Sequence, residues 1–213
     1  MMQRKEFAVL RRDRPSFADL RGFLSYLERE GRLVRIREPI SVVHDVTEIH
    51  RRVLLAEGPA LLFENPIKAD GQQADMPMLV NLFGTKERVA WGFGVDLERL
   101  PMLGEALAEL SEPRPPRGLS EAMTKLPLAR AVLAMRPKLV SRPPVQEIIW
   151  QDDAIDLARL PVQVCWPGEP GPLITWPMVI TKGPDDVDGS DVNVGVYRMQ
   201  VLGRDRAIMR WLA

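Results

Sequence analysis

Hydrophobic positions recur at helical spacing early in the chain and alternate with polar ones near its end. Phe17, Leu20, Phe23, Leu24 and Leu27 repeat every three or four residues, which predicts a helix. Ser16-Phe17-Ala18-Asp19 is a capping-box-like start, with the Ser16 oxygen placed to accept an orphan N–H, and Gly31 is a natural stop. Leu33 to Ile40 alternates as a strand. Val46, Ile49, Val53 and Leu54 make the apolar stripe of a second helix over Asp45 to Glu57, ended by Gly58-Pro59. Ala60 to Phe63 and Met78 to Leu82 read as short buried strands. A third helix begins over Lys86 to Trp91, and a fourth spans Asp96 to Leu110 with a break near Pro101. This alternation predicts one α/β unit over residues 16–110.

The pattern then changes. Ser111-Glu112-Pro113-Arg114-Pro115-Pro116-Arg117-Gly118 reads as a stiff linker that offers little to bury. A helical piece over Ser120 to Met135 follows, kinked or broken at Pro127, and Pro137 and Pro143-Pro144 form a second proline cluster. From Val145 onward the character is β, with strands expected over Gln146 to Trp150, Val162 to Trp166 and Ile174 to Thr181. The boundaries read from this are a basic N-terminal segment at 1–15, an α/β domain at 16–110, a proline-rich linker with helix at 111–144, and a β domain at 145–213.

The last stretch organises the chain. Val192 to Leu202, a polar turn at Gly203 to Arg206, and Ala207 to Ala213 read as the two arms of a hairpin. Asn193, Arg198, Gln200 and Arg210 interrupt its apolar pattern. Alternation puts Asn193 on one face with Tyr197 and Met199, and Arg198 on the other with Val196 and Gln200. For Asn193 and Arg198 to serve one site the strand must bulge or twist, and Gly195 stands where a bulge is tolerated. The residues alone leave open an ordinary hairpin with a solvated Asn and Arg.

Charge is balanced, 29 basic residues against 29 acidic ones, which argues against a nucleic-acid binder or a polybasic membrane protein. Hydrophobic residues make up 46% of the 213, enough for a core, and no segment approaches the length of apolar run that spans a bilayer. Residues 1–15 are Arg-rich and lack the apolar centre of a signal peptide. A single cysteine, Cys165, excludes an internal disulfide and suits a cytoplasmic chain. Having no neighbouring His or cation in sequence, it reads as a buried or spectator thiol.

Other motifs read as structural. Gly92-Phe93-Gly94 lacks the third glycine and the preceding strand of a dinucleotide fingerprint, so it is a helix-to-helix turn. In the acidic run Asp185 to Asp191, the closing carboxylate of a calcium loop would fall on Val196 or Tyr197, which cannot supply it. His44 and His50, the only histidines, do not share a helical face and read as surface or structural residues.

The hairpin resembles that of the UbiD-type decarboxylases, which carry prenylated FMN. Leu62-Phe63-Glu64-Asn65-Pro66, the stretch Pro77 to Ala90 with Asn81-Leu82-Phe83-Gly84-Thr85-Lys86-Glu87-Arg88 inside it, Leu160-Pro161, and Gly171-Pro172-Leu173-Ile174-Thr175-Trp176 also look like that family, in family order. The resemblance covers roughly residues 16–213, and is most marked to the polyprenyl-hydroxybenzoate decarboxylases of bacterial ubiquinone synthesis. It implies an α+β chain, an N-terminal α/β domain followed by an incomplete split β-barrel of the flavin-binding type. It implies Asn193 as a metal ligand, Val196, Tyr197 and Arg198 as one cofactor-lining stretch, and Arg210, Trp211 and Leu212 as a second. Arg198 is also the implied catalytic arginine beside the substrate carboxylate.

The activity implied is non-oxidative decarboxylation of an aromatic or α,β-unsaturated acid, with polyprenyl-hydroxybenzoate favoured by likeness. The cofactors implied are prenylated FMN, manganese (Mn2+) and potassium (K+). A flavin prenyltransferase would supply the flavin, a prenylated substrate would bring peripheral membrane association, and the full-length protein would be a homo-oligomer. The sequence as given stops at Ala213, where the family pattern continues into a His and a glycine pair. The histidine and glutamate metal ligands and the proton-donating acid are expected beyond that point, so this chain alone is expected to be inactive. Two other readings stand beside it: a non-catalytic fragment or partner-binding domain, and a flavin-reductase-like split barrel that leaves the N-terminal likeness unexplained.

Overall fold

The computed structural model describes residues 12–111, 118–134, 140–185 and 192–210. Helices and strands alternate as far as Ser111, and the later part is strand and short 3-10 turns. The elements in order are α1 Leu20–Arg29, β1 Leu33–Ile36, β2 Ile40–Ser41, α2 Asp45–Leu55, β3 Ala60–Phe63, β4 Pro66–Ile67, β5 Met78–Val80, α3 Lys86–Gly92, α4 Leu100–Ser111 and α5 Leu119–Ala134. Then come β6 Leu173–Ile174, β7 Met178–Lys182, β8 Val192–Val196, β9 Met199–Val201 and β10 Ala207–Met209. The described residues fall into two compact units: one within Met1–Arg32 and Leu82–Glu147, the other within Leu33–Asn81 and Ile148–Ala213.

The first unit is built on aromatic rings. Phe17 lies 5.1 Å from Phe23 and 5.3 Å from Tyr26, and Tyr26 meets Trp91 edge-on at 5.6 Å. Arg14 spans this cluster, its guanidinium 5.1 Å from the Trp91 ring, donating to Tyr26 Oη at 3.2 Å and to Asp96 at 2.6 Å. The buried Arg88 donates its Nε to the Leu82 carbonyl at 2.9 Å and so fixes the turn into α3. The N-cap of α1 is Asp19, not Ser16: its carboxylate accepts from Gly22 N at 2.8 Å, while Phe17 is held in the ring cluster. The other end is as expected. Gly31, at φ +68, closes a Schellman turn in which Arg32 N donates to Leu27 O and Gly31 N to Glu28 O.

The second unit has a three-stranded sheet in the order β1-β3-β5. Strands β1 and β3 pair in parallel from Leu33↔Ala60 to Ile36↔Phe63, and β5 runs antiparallel to β3. All four residues of the central strand are buried. Val46 of α2 packs on Leu61, Phe63 and Val80, with Ile36, Ile40, Ile49, Val53 and Met78 around them. Each such side chain contributes about 1.5–3 kcal/mol by leaving water. At the end of β5 the chain reverses through Asn81, at φ +57, whose Nδ2 donates to Pro59 O at 2.8 Å and Gly58 O at 3.2 Å.

Prolines account for most departures from the expected elements. The strand expected over Leu33 to Ile40 stops at Ile36, because Pro39 offers no N–H and restricts Glu38; Ile40–Ser41 pairs instead with Pro66–Ile67. Pro101 does not break a helix. It sits in the first turn of α4, where its missing N–H costs nothing, after a 3-10 turn at Leu97–Arg99. Helix α5 runs on through Pro127. Gln146 to Trp150 is not a strand, since Pro144–Gln146 forms a 3-10 turn there. Val162 to Trp166 contributes one bridge, Val43↔Val164, rather than a strand. Most of the expected linker, 112–117, and Pro137 lie outside the described residues.

The late strands form two small antiparallel sheets, β7–β8 and β10-β9-β6. No closed barrel is present among the described residues.

The clasp at Asn81 gives a stability prediction. Asn81→Ala removes both carbonyl contacts and strains a left-handed φ, and should cost about 1–3 kcal/mol in urea unfolding. Asn81→Gly should cost less, because glycine holds that φ without strain. Equal losses would show that the backbone conformation contributes nothing.

Candidate active site

The described candidate site residues lie on or next to the late strands of the second unit. β7 and β8 pair without interruption from Lys182↔Val192 to Met178↔Val196. Gly195 stands opposite Val179 in that register, so it is not the bulge that the parity argument called for. One face of the ribbon carries Thr181, Asn193 and Gly195. The other carries Met178, Ile180, Val194 and Val196, which are 71%, 65%, 56% and 58% exposed.

The ladder ends at Val196, and the chain enters a different sheet at Met199. Tyr197 and Arg198 lie in that crossing. Tyr197 folds back over Gly195: a Cβ built on Gly195 would come within 2.5 Å of Tyr197 Cε2. Its hydroxyl accepts from Asn193 Nδ2 at 3.4 Å. Asn193 and Tyr197 are thus together, while Val196 faces the opposite way.

A regular register resumes at Met199, on the far side of the crossing. β9 and β10 pair as Met199↔Met209, Gln200↔Ile208 and Val201↔Ala207. Arg198 and Arg210 are the residues just beyond the last of these pairs, outside the ladder. Both are exposed, and each adjoins in sequence the end of its strand, Met199 or Met209; cationic residues of this kind suit an anion. Gln200 anchors the neighbouring loop by donating Nε2 to Pro172 O at 2.8 Å, and Leu173 N donates to Gln163 O at 2.9 Å. Trp211 and Leu212 lie outside the described residues.

Cys165 is buried, and Glu169 accepts from its backbone N at 2.7 Å and from Trp166 N at 3.2 Å. Burial pushes the thiol pKa up. The Thr47 hydroxyl partly offsets this, the Glu169 charge adds to it, and the Arg198 charge opposes it.

The other motifs stay structural. Gly94, at φ +78, turns the chain after α3, and its carbonyl accepts from Asp13 N and Arg14 N. His44 is the N-cap residue of α2, at φ +67, and His50 on the same helix has its pKa lowered by burial. Asp186 to Asp191 lie outside the described residues. Among the described residues no group of three or more His, Cys, Asp or Glu could hold a metal ion. A cleft of about 500 Å3 in this unit is lined by Lys68, Asp156, Leu160, Pro172, Leu202 and Arg204 among others, and by none of the expected site residues.

Residues 24–107 match the family model of the 3-octaprenyl-4-hydroxybenzoate carboxy-lyase N-terminal domain, and residues 138–213 match that of its Rift-related domain. The chain belongs to the UbiD family. Its fold is similar to that of the UbiD-class enzyme HmfF from Pelotomaculum thermopropionicum, solved in an evolved dimeric form with prFMN. That match has 27% identity and a TM-score of 0.65, and covers 92% of this chain and 39% of that one. It is also similar to the vanillic acid decarboxylase of Sedimentibacter hydroxybenzoicus in its closed form, at 25% identity and a TM-score of 0.70, over 93% of this chain and 38% of that one. The 3,4-dihydroxybenzoic acid decarboxylase of Enterobacter cloacae, at 20% identity and a TM-score of 0.64 over 93% and 38%, shares the fold. The chain thus spans less than two-fifths of the length of these UbiD-class structures.

Burial of the sole cysteine gives a second prediction. In the folded state the neutral thiol is favoured, so reactivity should appear at higher pH than in the unfolded chain. Alkylation by iodoacetamide at pH 8 should be slower than in urea by about an order of magnitude or more. Equal rates would mean that the Cys165 loop opens freely.

Proposed function

We propose that this chain is the N-terminal portion of a non-oxidative decarboxylase acting on an aromatic or α,β-unsaturated carboxylic acid with prenylated FMN. The observation that carries this is the ordered match of both family models, the second of which takes in the hairpin with Asn193, Arg198 and Arg210. The two matches also support a domain division at the 111–144 segment. The small late sheets are read as the first part of a split barrel.

Asn193 supplies one hard, neutral oxygen of the kind that suits Mn2+. The described residues fit part of a metal centre and do not complete it. The apolar Val196, the ring of Tyr197 and the cationic Arg198 and Arg210 suit a planar anionic flavin in kind. When bound, the prenylated flavin would supply an electron sink for the carbanion left as carbon dioxide departs. The protein's part is to bind and orient. A guanidinium at Arg198 can hold the substrate carboxylate by two parallel N–H···O bonds, which fixes the angle of the bond to be broken.

Polyprenyl-hydroxybenzoate is the proposed substrate, with a flavin prenyltransferase as cofactor supplier and K+ as a further ion. A cytoplasmic homo-oligomer that meets the membrane through its prenylated substrate completes the reading. The acids that deliver the replacing proton are not identified among the described residues, so residues 1–213 alone are expected to give no turnover.

In a protein of family length that contains this chain, Arg198→Ala should abolish carbon dioxide release from a hydroxybenzoate. Arg198→Lys should restore little, because an ammonium cannot supply the paired geometry. Turnover of the Ala variant within a few-fold of the parent would remove Arg198 from the proposed chemistry.

A further inference from the structure

We propose that Tyr197 is a positioning residue for the Asn193 amide, and that residue 195 is glycine in order to admit the Tyr197 ring. The inference rests on the reading of Asn193 as a metal ligand. Glycine at 195 has no backbone explanation. Its φ is not in the left-handed region, and it pairs with Val179 in an uninterrupted ladder. What it provides is space. A Cβ there would lie 2.5 Å from Tyr197 Cε2, 3.0 Å from Cζ and 3.1 Å from Oη, all atoms of one side chain. Alanine would therefore swing the ring aside while the strand stayed paired.

The ring in turn reaches Asn193. An Asn side chain has a donor end and an acceptor end, and a half-turn about its last bond exchanges them. Only the oxygen end can serve a cation. In this structure Nδ2 donates to Tyr197 Oη at 3.4 Å, so the nitrogen end is committed to the tyrosine and Oδ1 is left to face a hard ion. Outer partners of this kind orient ligands and raise metal affinity without touching the ion. The sequence spacing itself carries the device. Residues 193, 195 and 197 share parity, and the strand ends at Val196, so the ring can fold back along its own face.

The test uses the chain as it stands, uniformly labelled with 15N. The Asn193 side-chain resonance is assigned by its loss in Asn193→Ala. In the parent, the heteronuclear NOE of Asn193 Nδ2 should match that of the rigid backbone of β8. In Tyr197→Phe and in Gly195→Ala it should fall toward the value of a freely turning side chain, with the backbone shifts of β7 and β8 unchanged. In a protein of family length that contains this chain, Mn2+ added with FMN should broaden the Asn193 amide in the parent, and should need about tenfold more metal to do so in either variant.

An unchanged NOE in Tyr197→Phe would overturn the positioning role, whatever the metal does. If Tyr197→Phe fails to fold, Gly195→Ala decides the same question by the same NOE. In that longer protein, an Asn193 amide indifferent to Mn2+ while distant amides broaden would overturn the metal reading and this inference with it. Lower NOE together with weaker broadening in both variants would sustain both.

Discussion

Two backbone hydrogen bonds at Val164 hold together two parts of the second unit that are distant in sequence. Val164 N donates to Val42 O at 3.1 Å, and His44 N donates to Val164 O at 3.0 Å. Val42 is itself fully buried and tied to β4 through Ile67 O at 2.8 Å. The early parallel layer thus fixes the position of a late segment that has almost no ladder of its own. Leu173 N then bonds Gln163 O, and β6 of the late sheet follows directly. Through this joint the turn at Cys165 to Glu169 comes to lie beside Thr47 at the start of α2, where Arg198 also acts on the thiol. A compact unit built from chain segments about 70 residues apart depends on these few bonds, because a two-stranded ribbon is marginal by itself.

The second constraint is the change of sheet between Val196 and Met199. A strand that stayed paired would have kept Asn193 and Arg198 on opposite faces by alternation alone. The chain does not bulge between them: pairing is regular as far as Val196, and the ladder ends there. Beyond Val196 the register restarts at Met199, so Arg198 is not part of the β7–β8 ladder that holds Asn193. Gly195 sits near the conflict, as the sequence suggests, but the physical use is different: it makes room for a ring.

How much of this was legible follows from the range of the interactions involved. The helix stripes of Phe23 with Leu27, and of Val46 with Ile49 and Val53, and the all-apolar strand Ala60 to Phe63, depend on local periodicity and were readable. The same holds for Gly31, whose left-handed φ is a local demand. Ser16 misled because Phe17 is drawn into a ring cluster that includes Trp91, far along the chain. The late strands were overestimated because β-branched residues such as Ile148 and Val162 mark a tendency that prolines at 143, 144 and 161 can veto. In the site, the residues are proposed from likeness, while the Tyr197–Gly195 contact depends on where the strand ends and the ring folds back, which local pattern does not encode.

The opposed charges of the proposed ligands give this division a reason. A metal ion calls for oxygen and is repelled by a nearby guanidinium, whereas a carboxylate or phosphate calls for that guanidinium. Only four residues separate Asn193 from Arg198. On one uninterrupted strand their Cα atoms could be no more than about 17 Å apart, with side chains directed to opposite faces. Ending the ladder between them frees the second direction from the first. The neutral amide can then be tuned by a neutral partner, Tyr197, and the guanidinium is left free of that ladder. On the proposed reading, the neutrality of the amide's partner matters as much as the charge of the arginines: a carboxylate in place of the Tyr197 hydroxyl would compete for the ion that Asn193 is there to hold.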